Sequence, residues 1–230
     1  MLGKEAYTGV IAEKYEEDRV CESIWDKEQE YVAGFIASLS GSETILDLPV
    51  GTGRFLPLFG AKGLRVIAAD ISTDMLAEAK RKIAAEGNVA FQIEDVEKLS
   101  LADNACDHVV CWRLAHLLQP SELEQAIFEF SRVTRQTIRM QFFFVERDIC
   151  FLRKVARKVK VFFQKPLAKA FSETEASAPE TPWRHIQTFT HSHEHIVAAA
   201  QRAGLSLAGI EGIEDENNPE LVYVFAKTGQ

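Results

Sequence analysis

Three acidic residues, Asp47, Asp70 and Asp95, each come at the end of a short apolar run. Runs of this length rich in β-compatible residues predict strands, and the turn and helical segment that follow predict βαβ units. Ligands of open α/β folds bind at the edge of the sheet where the carboxyl ends of the parallel strands meet. We therefore expect the three carboxylates to converge on one crevice and to form one polar ligand site.

A turn of small residues, 48–53, follows Asp47 and leads into a helical segment. Gly51 and Gly53 lack a Cβ atom, so a ligand can lie against bare backbone there. The N–H groups of the first helical turn suit a polar or anionic group. A nicotinamide dinucleotide site would have a third glycine where Leu56 stands, and Asp47 would repel its pyrophosphate. The turn therefore favours a ligand with positive charge.

The segment 44–55 resembles motif I of the class I S-adenosylmethionine-dependent methyltransferases, in which an acidic residue precedes Gly-x-Gly-x-Gly. The chain departs from that pattern at Pro49, which stands where the first glycine is usual. Proline has no N–H group, so it fits only where that donor is not needed. The departure concerns the contacts near the methionine part of the cofactor and leaves the expected fold unchanged.

Two further segments resemble motifs II and III of the same family, namely Asp70-Ile71 with Met75, and Asp95-Val96. The resemblance implies that Asp70 holds the ribose hydroxyls and that Ile71 lies on the adenine ring. It also implies that Asp95 accepts a hydrogen bond from the adenine amino group and that Val96 donates its backbone N–H to the ring. The predicted cofactor-binding residues are Asp47, Pro49, Gly51, Gly53, Asp70, Ile71, Met75, Asp95, Val96 and Cys111, and the predicted substrate-side residues are Trp112, Arg113 and Tyr15.

The resemblance implies an α/β fold with a Rossmann-like, doubly wound sheet of seven strands, mostly parallel, whose last strand is antiparallel. N-terminal helices and a helical cap insertion complete the expected architecture. We divide the chain into an N-terminal helical cover (1–40), a methyltransferase core (41–146 and 191–230) and a cap or lid insertion (147–190). Ser72 is the predicted N-cap of the helix after the second strand.

The predicted insertion contains a basic amphipathic helix over residues 152–163, whose apolar positions recur at steps of three and four. From Arg147 to Ala170 the net charge is +7, which leaves −15 for the remainder of the chain. Three interpretations stay open: a helix that packs on the sheet edge, a substrate cap that attracts an anionic acceptor, and a transient contact with an anionic membrane surface.

The histidines offer one candidate base and no metal site. His116 follows the fourth predicted strand, where an acceptor should approach, and is the candidate catalytic residue if the acceptor is a hydroxyl. Its alternative is a histidine that satisfies backbone groups under the loop. The cluster 191–195 reads as a helix start with Ser192 as N-cap, which turns its histidines in different directions, so we expect no metal there.

Composition sets the remaining bounds. The 230 residues suit one domain, and 47% hydrophobic with 26% charged residues is typical of a soluble globular protein. No apolar run reaches the roughly 20 residues of a membrane span, and no secretory signal is visible. Four cysteines without CxxC spacing indicate reduced thiols, so we expect a cytoplasmic protein. The net charge of −8 argues against a nucleic-acid partner.

We predict S-adenosylmethionine-dependent methyl transfer to the oxygen or nitrogen of a small-molecule acceptor. The acceptor would be anionic if the basic helix is a substrate cap. Two alternatives remain: a non-catalytic S-adenosylmethionine-binding module, and an NAD-dependent oxidoreductase, which Leu56 and Asp47 disfavour. The sequence leaves the identity of the acceptor and the oligomeric state open.

Overall fold

A computed structural model describes residues 24–83, 88–143, 145–146, 186–213 and 220–228, together with the single residues 7, 9, 12, 14, 15 and 19. In chain order its elements are α1 (Ile24–Ala37), β1 (Thr44–Asp47), α2 (Leu56–Lys62), β2 (Arg65–Asp70), α3 (Thr73–Lys82), β3 (Val89–Ile93), β4 (Cys106–Cys111), a 3-10 helix (Ala115–Leu117), α4 (Pro120–Val133), β5 (Thr134–Phe142), β6 (Val145–Glu146), β7 (His191–Ser192), α5 (His193–Arg202), β8 (Leu205–Ile213) and β9 (Glu220–Lys227). Residues 152–163, the predicted basic helix, lie outside the described residues.

The main sheet has seven strands in the order β3-β2-β1-β4-β5-β9-β8. The strands β1 to β5 are mutually parallel, and β9 runs antiparallel to both β5 and β8. The predicted doubly wound sheet with a reversed last strand is therefore confirmed. The strand order reverses between β1 and β4, and a crevice at such a reversal is the usual ligand site of an open α/β sheet.

Apolar side chains cover both faces of this sheet, as a mainly parallel sheet requires. On one face the core contains Phe35 of α1, Phe59 of α2 and Ala79 of α3. On the other face it contains Phe130 of α4 and Ile196 of α5. The central strands β1 and β4 are buried along almost their whole length, which holds their carboxyl ends in a fixed position beneath the crevice.

Two predicted helix starts are confirmed by their capping hydrogen bonds. The hydroxyl of Ser72 accepts from the backbone N–H of Met75 at 3.2 Å at the start of α3. The hydroxyl of Ser192 accepts from the N–H of His195 at 3.1 Å at the start of α5. Within the described ranges, no helix combines the length and the apolar character needed to cross a membrane.

Candidate functional site

A cavity opens at the carboxyl ends of the central strands. Much of its wall comes from four loops: residues 48–55 after β1, 70–72 after β2, Glu94 and Val96 after β3, and residues 112–118 after β4. Not every residue of these loops faces the cavity. The mainly apolar lining with a few convergent polar groups is typical of a small-molecule site.

Asp70 is one of two acidic residues that line this cavity among those that the structure describes. The backbone N–H of Gly51 donates to its Oδ2 atom at 2.9 Å, and the N–H of Ser72 donates to its Oδ1 atom at 2.9 Å. Gly51 has φ of +54°, a conformation that favours glycine, so the residue type fits the turn. Burial raises the pKa of Asp70 to about 6, while the amide donors favour its ionised form. The carboxylate is thus fixed and ionised at neutral pH.

Asp47 does not face the crevice, so the expectation that its carboxylate would converge there with the other two is wrong. The chain stays paired beyond the end of β1, because Leu48 N–H donates to the carbonyl of Val110 and Val50 N–H donates to the carbonyl of Ala69. Residues 48–50 therefore form the wall, and Asp47 is buried with 1% exposure and no hydrogen-bond partner for either carboxylate oxygen among the described residues. Burial, with Asp70 nearby, raises the pKa of Asp47 well above its ordinary value.

Cys111 is likewise buried and is not among the residues that line the cavity. Burial and the neighbouring Asp47 raise the pKa of its thiol, so it stays neutral. Both residues sit at the ends of the adjacent strands β1 and β4, beneath the cavity. Their role toward a cofactor remains a prediction.

Gly53 supports the turn from behind and does not line the cavity. A Cβ atom at this position would lie 2.9 Å from Leu56 Cδ1 and 3.1 Å from both the Cα and the Cβ of Ala79. The glycine therefore lets the turn after β1 pack directly on α3. Pro49 and Met75 do line the cavity, and the Leu48–Pro49 peptide is cis.

Replacing Gly53 with alanine is expected to lower the free energy of unfolding by roughly 2–3 kcal/mol, since it combines steric overlap with a φ of +78° that disfavours side chains. The matched control is Gly63→Ala, because Gly63 has φ of +76° but open space where a Cβ atom would lie. The control is expected to lose only about 1 kcal/mol. Urea denaturation of both variants measures the difference, and equal losses would show that close packing at Gly53 contributes nothing.

After β3 the cavity is lined by Glu94 and Val96 and not by Asp95. The side chain of Asp95 accepts from the N–H of Glu97 at 3.0 Å within its own turn. Glu94 accepts from the N–H of Ser100 at 2.7 Å, which fixes its carboxylate. Glu94 was not predicted from the sequence. A choice between Glu94 and Asp95 requires the end of β3 to be known to within one residue.

Aromatic side chains form much of the remaining wall. Trp112 packs edge-on against Phe55 with ring centroids 5.8 Å apart, and Trp25 of α1 also lines the cavity. Tyr15, one of the predicted substrate-side residues, lines it together with Tyr7, and these two rings are 5.7 Å apart. Such rings offer flat apolar surfaces of the kind on which a base or another planar group stacks.

Two arginines, Arg54 and Arg113, also line the cavity. The guanidinium groups of both arginines contact the carboxylate of Glu28 on α1, which is completely buried. Burial opposes the ionisation of Glu28, but the two guanidinium groups hold its pKa below the ordinary value. Arg113 was predicted on the substrate side, whereas Glu28 and Arg54 were not identified from the sequence.

His116 lies in the 3-10 helix after β4 and is not among the residues that line the cavity. Its ring packs edge-on against Phe143 with centroids 4.7 Å apart. Burial, followed by the charges of Arg19 and Arg113, lowers the pKa of His116 to about 3. The imidazole is therefore neutral but a weak base, which disfavours it as a general base at neutral pH.

The histidines of 191–195 take structural positions in α5 and β7. Nε2 of His191 donates to the carbonyl of Ala115 at 3.0 Å, and Nδ1 of His193 lies 3.0 Å from the hydroxyl of Tyr223. In the part of the chain that the structure describes, no group of three or more His, Cys, Asp or Glu residues is arranged to hold a metal ion.

Comparison with known proteins agrees with this geometry. Residues 45–137 match the family model described as a methyltransferase domain. Malonyl-[acyl-carrier protein] O-methyltransferase of Hamiltonella defensa subsp. Acyrthosiphon pisum (strain 5AT) is 36% identical over 91 residues, which are 40% of this chain and 33% of that protein. Demethylmenaquinone methyltransferase of Clavibacter sepedonicus is 35% identical over 86 residues, 37% of this chain and 35% of that protein. The chain spans about a third of the length of each relative.

Among solved structures, magnesium protoporphyrin IX methyltransferase of Synechocystis PCC 6803 with bound SAH is similar, with a TM-score of 0.70. The alignment covers 98% of both chains at 17% identity, so this likeness shows the fold. The strand order, the cavity where that order reverses and the family match over residues 45–137 agree with one another. Residues 45–137 of this chain thus match a methyltransferase domain, and the fold of the chain is similar to that of a methyltransferase solved with bound SAH.

Proposed function

We propose that this chain transfers the methyl group of S-adenosylmethionine to a small-molecule acceptor. The observation that carries the proposal is the carboxylate of Asp70, which two backbone amides fix in the cavity wall beside the bare backbone of Gly51. A carboxylate after the second strand of such a fold accepts hydrogen bonds from ribose hydroxyls. The bound cofactor would supply a methyl group made electrophilic by its sulfonium.

The residues around Asp70 fit the other parts of that cofactor. Ile71, Met75 and Val96 offer apolar surface for the adenine ring, and Glu94 places a fixed carboxylate beside them. At Pro49 and Gly51 the protein backbone can lie close to the methionine part of the cofactor. Four of the predicted cofactor-binding residues do not line the cavity: Asp47, Gly53, Asp95 and Cys111. We propose that Asp47 and Cys111 act from beneath the cavity. Gly53 would act through its close packing, and Asp95 through the turn that it stabilises.

The chemistry of the protein would consist mainly of alignment and exclusion of water. Because the pKa of His116 is about 3, the site offers no strong base at this position. An acceptor that is nucleophilic without proton removal, such as a carboxylate oxygen or a neutral amine, suits it best. One relative is named as an O-methyltransferase of malonyl-[acyl-carrier protein], a name that specifies an oxygen acceptor. We favour an anionic oxygen acceptor for this chain.

Transfer of tritium from S-[methyl-³H]adenosylmethionine to a panel of carboxylic acids, phenols and amines tests this proposal. We expect label in the carboxylic acid fraction, and its loss in Asp70→Ala but not in Asp103→Asn, a control at an exposed acid. Binding of S-adenosylhomocysteine without transfer to any acceptor would favour the binding-module alternative. Thermal protection by NAD and not by S-adenosylhomocysteine would favour an oxidoreductase.

The affinity for S-adenosylhomocysteine is expected to fall as the pH drops below about 6. The ionised form of Asp70 accepts hydrogen bonds with both oxygens, and burial raises its pKa to about 6, so lower pH removes this acceptor by protonation. The affinity should drop by up to about tenfold per pH unit below that value and stay constant above it. Calorimetric titration between pH 5 and 8 measures it. A profile that is equally steep in Asp70→Asn would assign the pH dependence to another group.

A further inference from the structure

The loop after β4 presents leucine side chains to the cavity. Leu114, Leu117 and Leu118 line it, and all three lie in or beside the 3-10 helix Ala115–Leu117. Side chains three residues apart lie on the same side of a 3-10 helix, so Leu114 and Leu117 share one face. Both are half-buried, whereas Leu118 is buried. These three residues give one part of the cavity an apolar surface, which we call the leucine wall.

The leucine wall lies apart from the residues that we assign to the nucleoside. Asp70 and Ile71 follow β2, whereas the wall follows β4, and β1 lies between these two strands in the sheet. Two strand spacings amount to about 10 Å, so the loops after β2 and β4 bound different parts of the cavity. Under the proposed function the ribose and the adenine ring occupy the part beside β2. The wall is therefore available to the acceptor.

Two hydrogen bonds fix the backbone that carries the wall. Nε2 of His191 on β7 donates to the carbonyl of Ala115 at 3.0 Å, and the backbone N–H of Phe189 donates to the carbonyl of His116 at 2.8 Å. Ala115 and His116 stand between Leu114 and Leu117 in the sequence. The bonds from residues 189 and 191 therefore hold the turn from which both leucines project.

His191 is itself held by three elements. Its ring stacks on that of His195 in α5, with centroids 6.0 Å apart, and lies edge-on to Phe142 of β5 at 6.3 Å. Its backbone pairs with Val145 of β6, and the residue is almost completely buried. The imidazole is thus fixed before any ligand binds. A binding surface that is already in place loses less conformational freedom on binding than one that must be ordered.

We propose that the leucine wall binds an apolar body of the acceptor, with His191 as the positioning residue of the wall. The inference rests on the proposed function and narrows it. The acceptor would carry its anionic oxygen group on an alkyl or aryl chain and would not be a small polar acid. Contact with the leucines would remove that chain from water, which raises the affinity by about fourfold for each buried methylene.

A series of straight-chain monocarboxylates from butanoate to octanoate tests the inference. Each acid is titrated into protein saturated with S-adenosylhomocysteine, and tryptophan fluorescence follows binding, since Trp25 and Trp112 line the cavity. We expect octanoate to bind at least about tenfold more tightly than butanoate. Octanedioate has a second carboxylate in place of the terminal methyl group, and we expect it to bind no more tightly than butanoate.

Substitutions in the wall are expected to reduce this dependence on chain length. Leu117→Ala should lower the ratio of the octanoate affinity to the butanoate affinity by at least about fourfold, the equivalent of one buried methylene. Leu114→Ala repeats the test on the same face and covers the case in which Leu117→Ala does not fold. The control is Phe128→Ala on α4, because Phe128 is 51% exposed and does not line the cavity. It should leave the ratio unchanged.

Two variants test the assignment of His191. His191→Phe keeps an aromatic ring but loses the donor to Ala115, and we expect a lower ratio in folded protein. His191→Gln keeps a side-chain N–H donor and should recover part of the ratio. If both variants lose stability and keep the wild-type ratio, His191 supports the fold alone and is not a positioning residue of the wall.

Equal affinities for butanoate and octanoate would overturn the inference, and so would octanedioate that binds as tightly as octanoate. A ratio that neither leucine substitution changes would overturn it as well. Wild-type protein that does not bind S-adenosylhomocysteine would overturn the proposed function instead. In that case the same series in ligand-free protein still decides the inference: a rise with chain length that Leu117→Ala reduces supports an apolar site, and a flat series excludes one.

Discussion

Replacing Asp70 with alanine is expected to weaken the binding of S-adenosylhomocysteine by at least about 100-fold. Two hydrogen bonds to a charged acceptor are lost, each worth about 1.5–3 kcal/mol, and the turn that carries Gly51 loses the acceptor of its N–H group. Both effects act on the part of the cavity that we assign to the ribose. Isothermal titration calorimetry at pH 7.5, where the wild-type carboxylate is ionised, measures the change.

Asp103→Asn is the control for this substitution, because Asp103 is an exposed acid that pairs with Arg132 away from the cavity. Its affinity for S-adenosylhomocysteine should equal that of the wild type. Urea denaturation of Asp70→Ala shows how much of the protein is folded under the conditions of the titration. An affinity within about twofold of the wild type in folded Asp70→Ala protein would remove Asp70 from the ligand site.

Replacing Glu28 with alanine is expected to lower the free energy of unfolding by about 3–5 kcal/mol, since it leaves two nearly buried guanidinium groups without their shared carboxylate. Glu28→Gln keeps the shape and part of the hydrogen bonding, so its loss should be smaller. Urea denaturation measures both values. The larger loss in the alanine variant would show that the buried ion pairs connect α1 to the loops after β1 and β4.

Glu30→Ala is the matched control on the same helix, where Glu30 is exposed. It is expected to change the free energy of unfolding by no more than about 0.5 kcal/mol. If Glu28→Ala and Glu30→Ala cost the same, the contacts of Glu28 would not contribute to stability.

The order of the elements was predictable because it depends on local patterns. The apolar run that ends at Asp70, the capping serine at position 72 and the glycine turn after β1 each specify their own structure over a few residues. Ser192 was identified for the same reason. The reversed last strand came from the family resemblance, since the local pattern predicts strands and not their order in the sheet.

Which carboxylate faces the cavity was less predictable, because a shift of one residue in a strand turns a side chain to the other face. Asp47 is covered by the residues that follow it, and Glu94 lines the cavity where Asp95 was expected. His116 follows β4 as expected, but burial and nearby cations reduce its basicity, and these are tertiary effects.

The Glu28 network could not be assembled from the sequence, since the residues that contact it are 26, 85 and 113 positions away. One local signal was available. Glu28 lies three residues after Trp25 and four before Val32, and both of these are buried, so the carboxylate falls on the apolar face of α1. A charged residue on such a face is rarely buried without a partner, which indicates an ion pair without naming it.

A crystal structure of this chain with S-adenosylhomocysteine tests the central claim most directly, that the cavity at the carboxyl ends of β1, β2 and β4 is a cofactor site. We predict the ribose hydroxyls within hydrogen-bond distance of the Asp70 carboxylate and the adenine ring against Ile71. A nucleoside bound elsewhere on the molecule, with this cavity empty at saturating ligand, would contradict it.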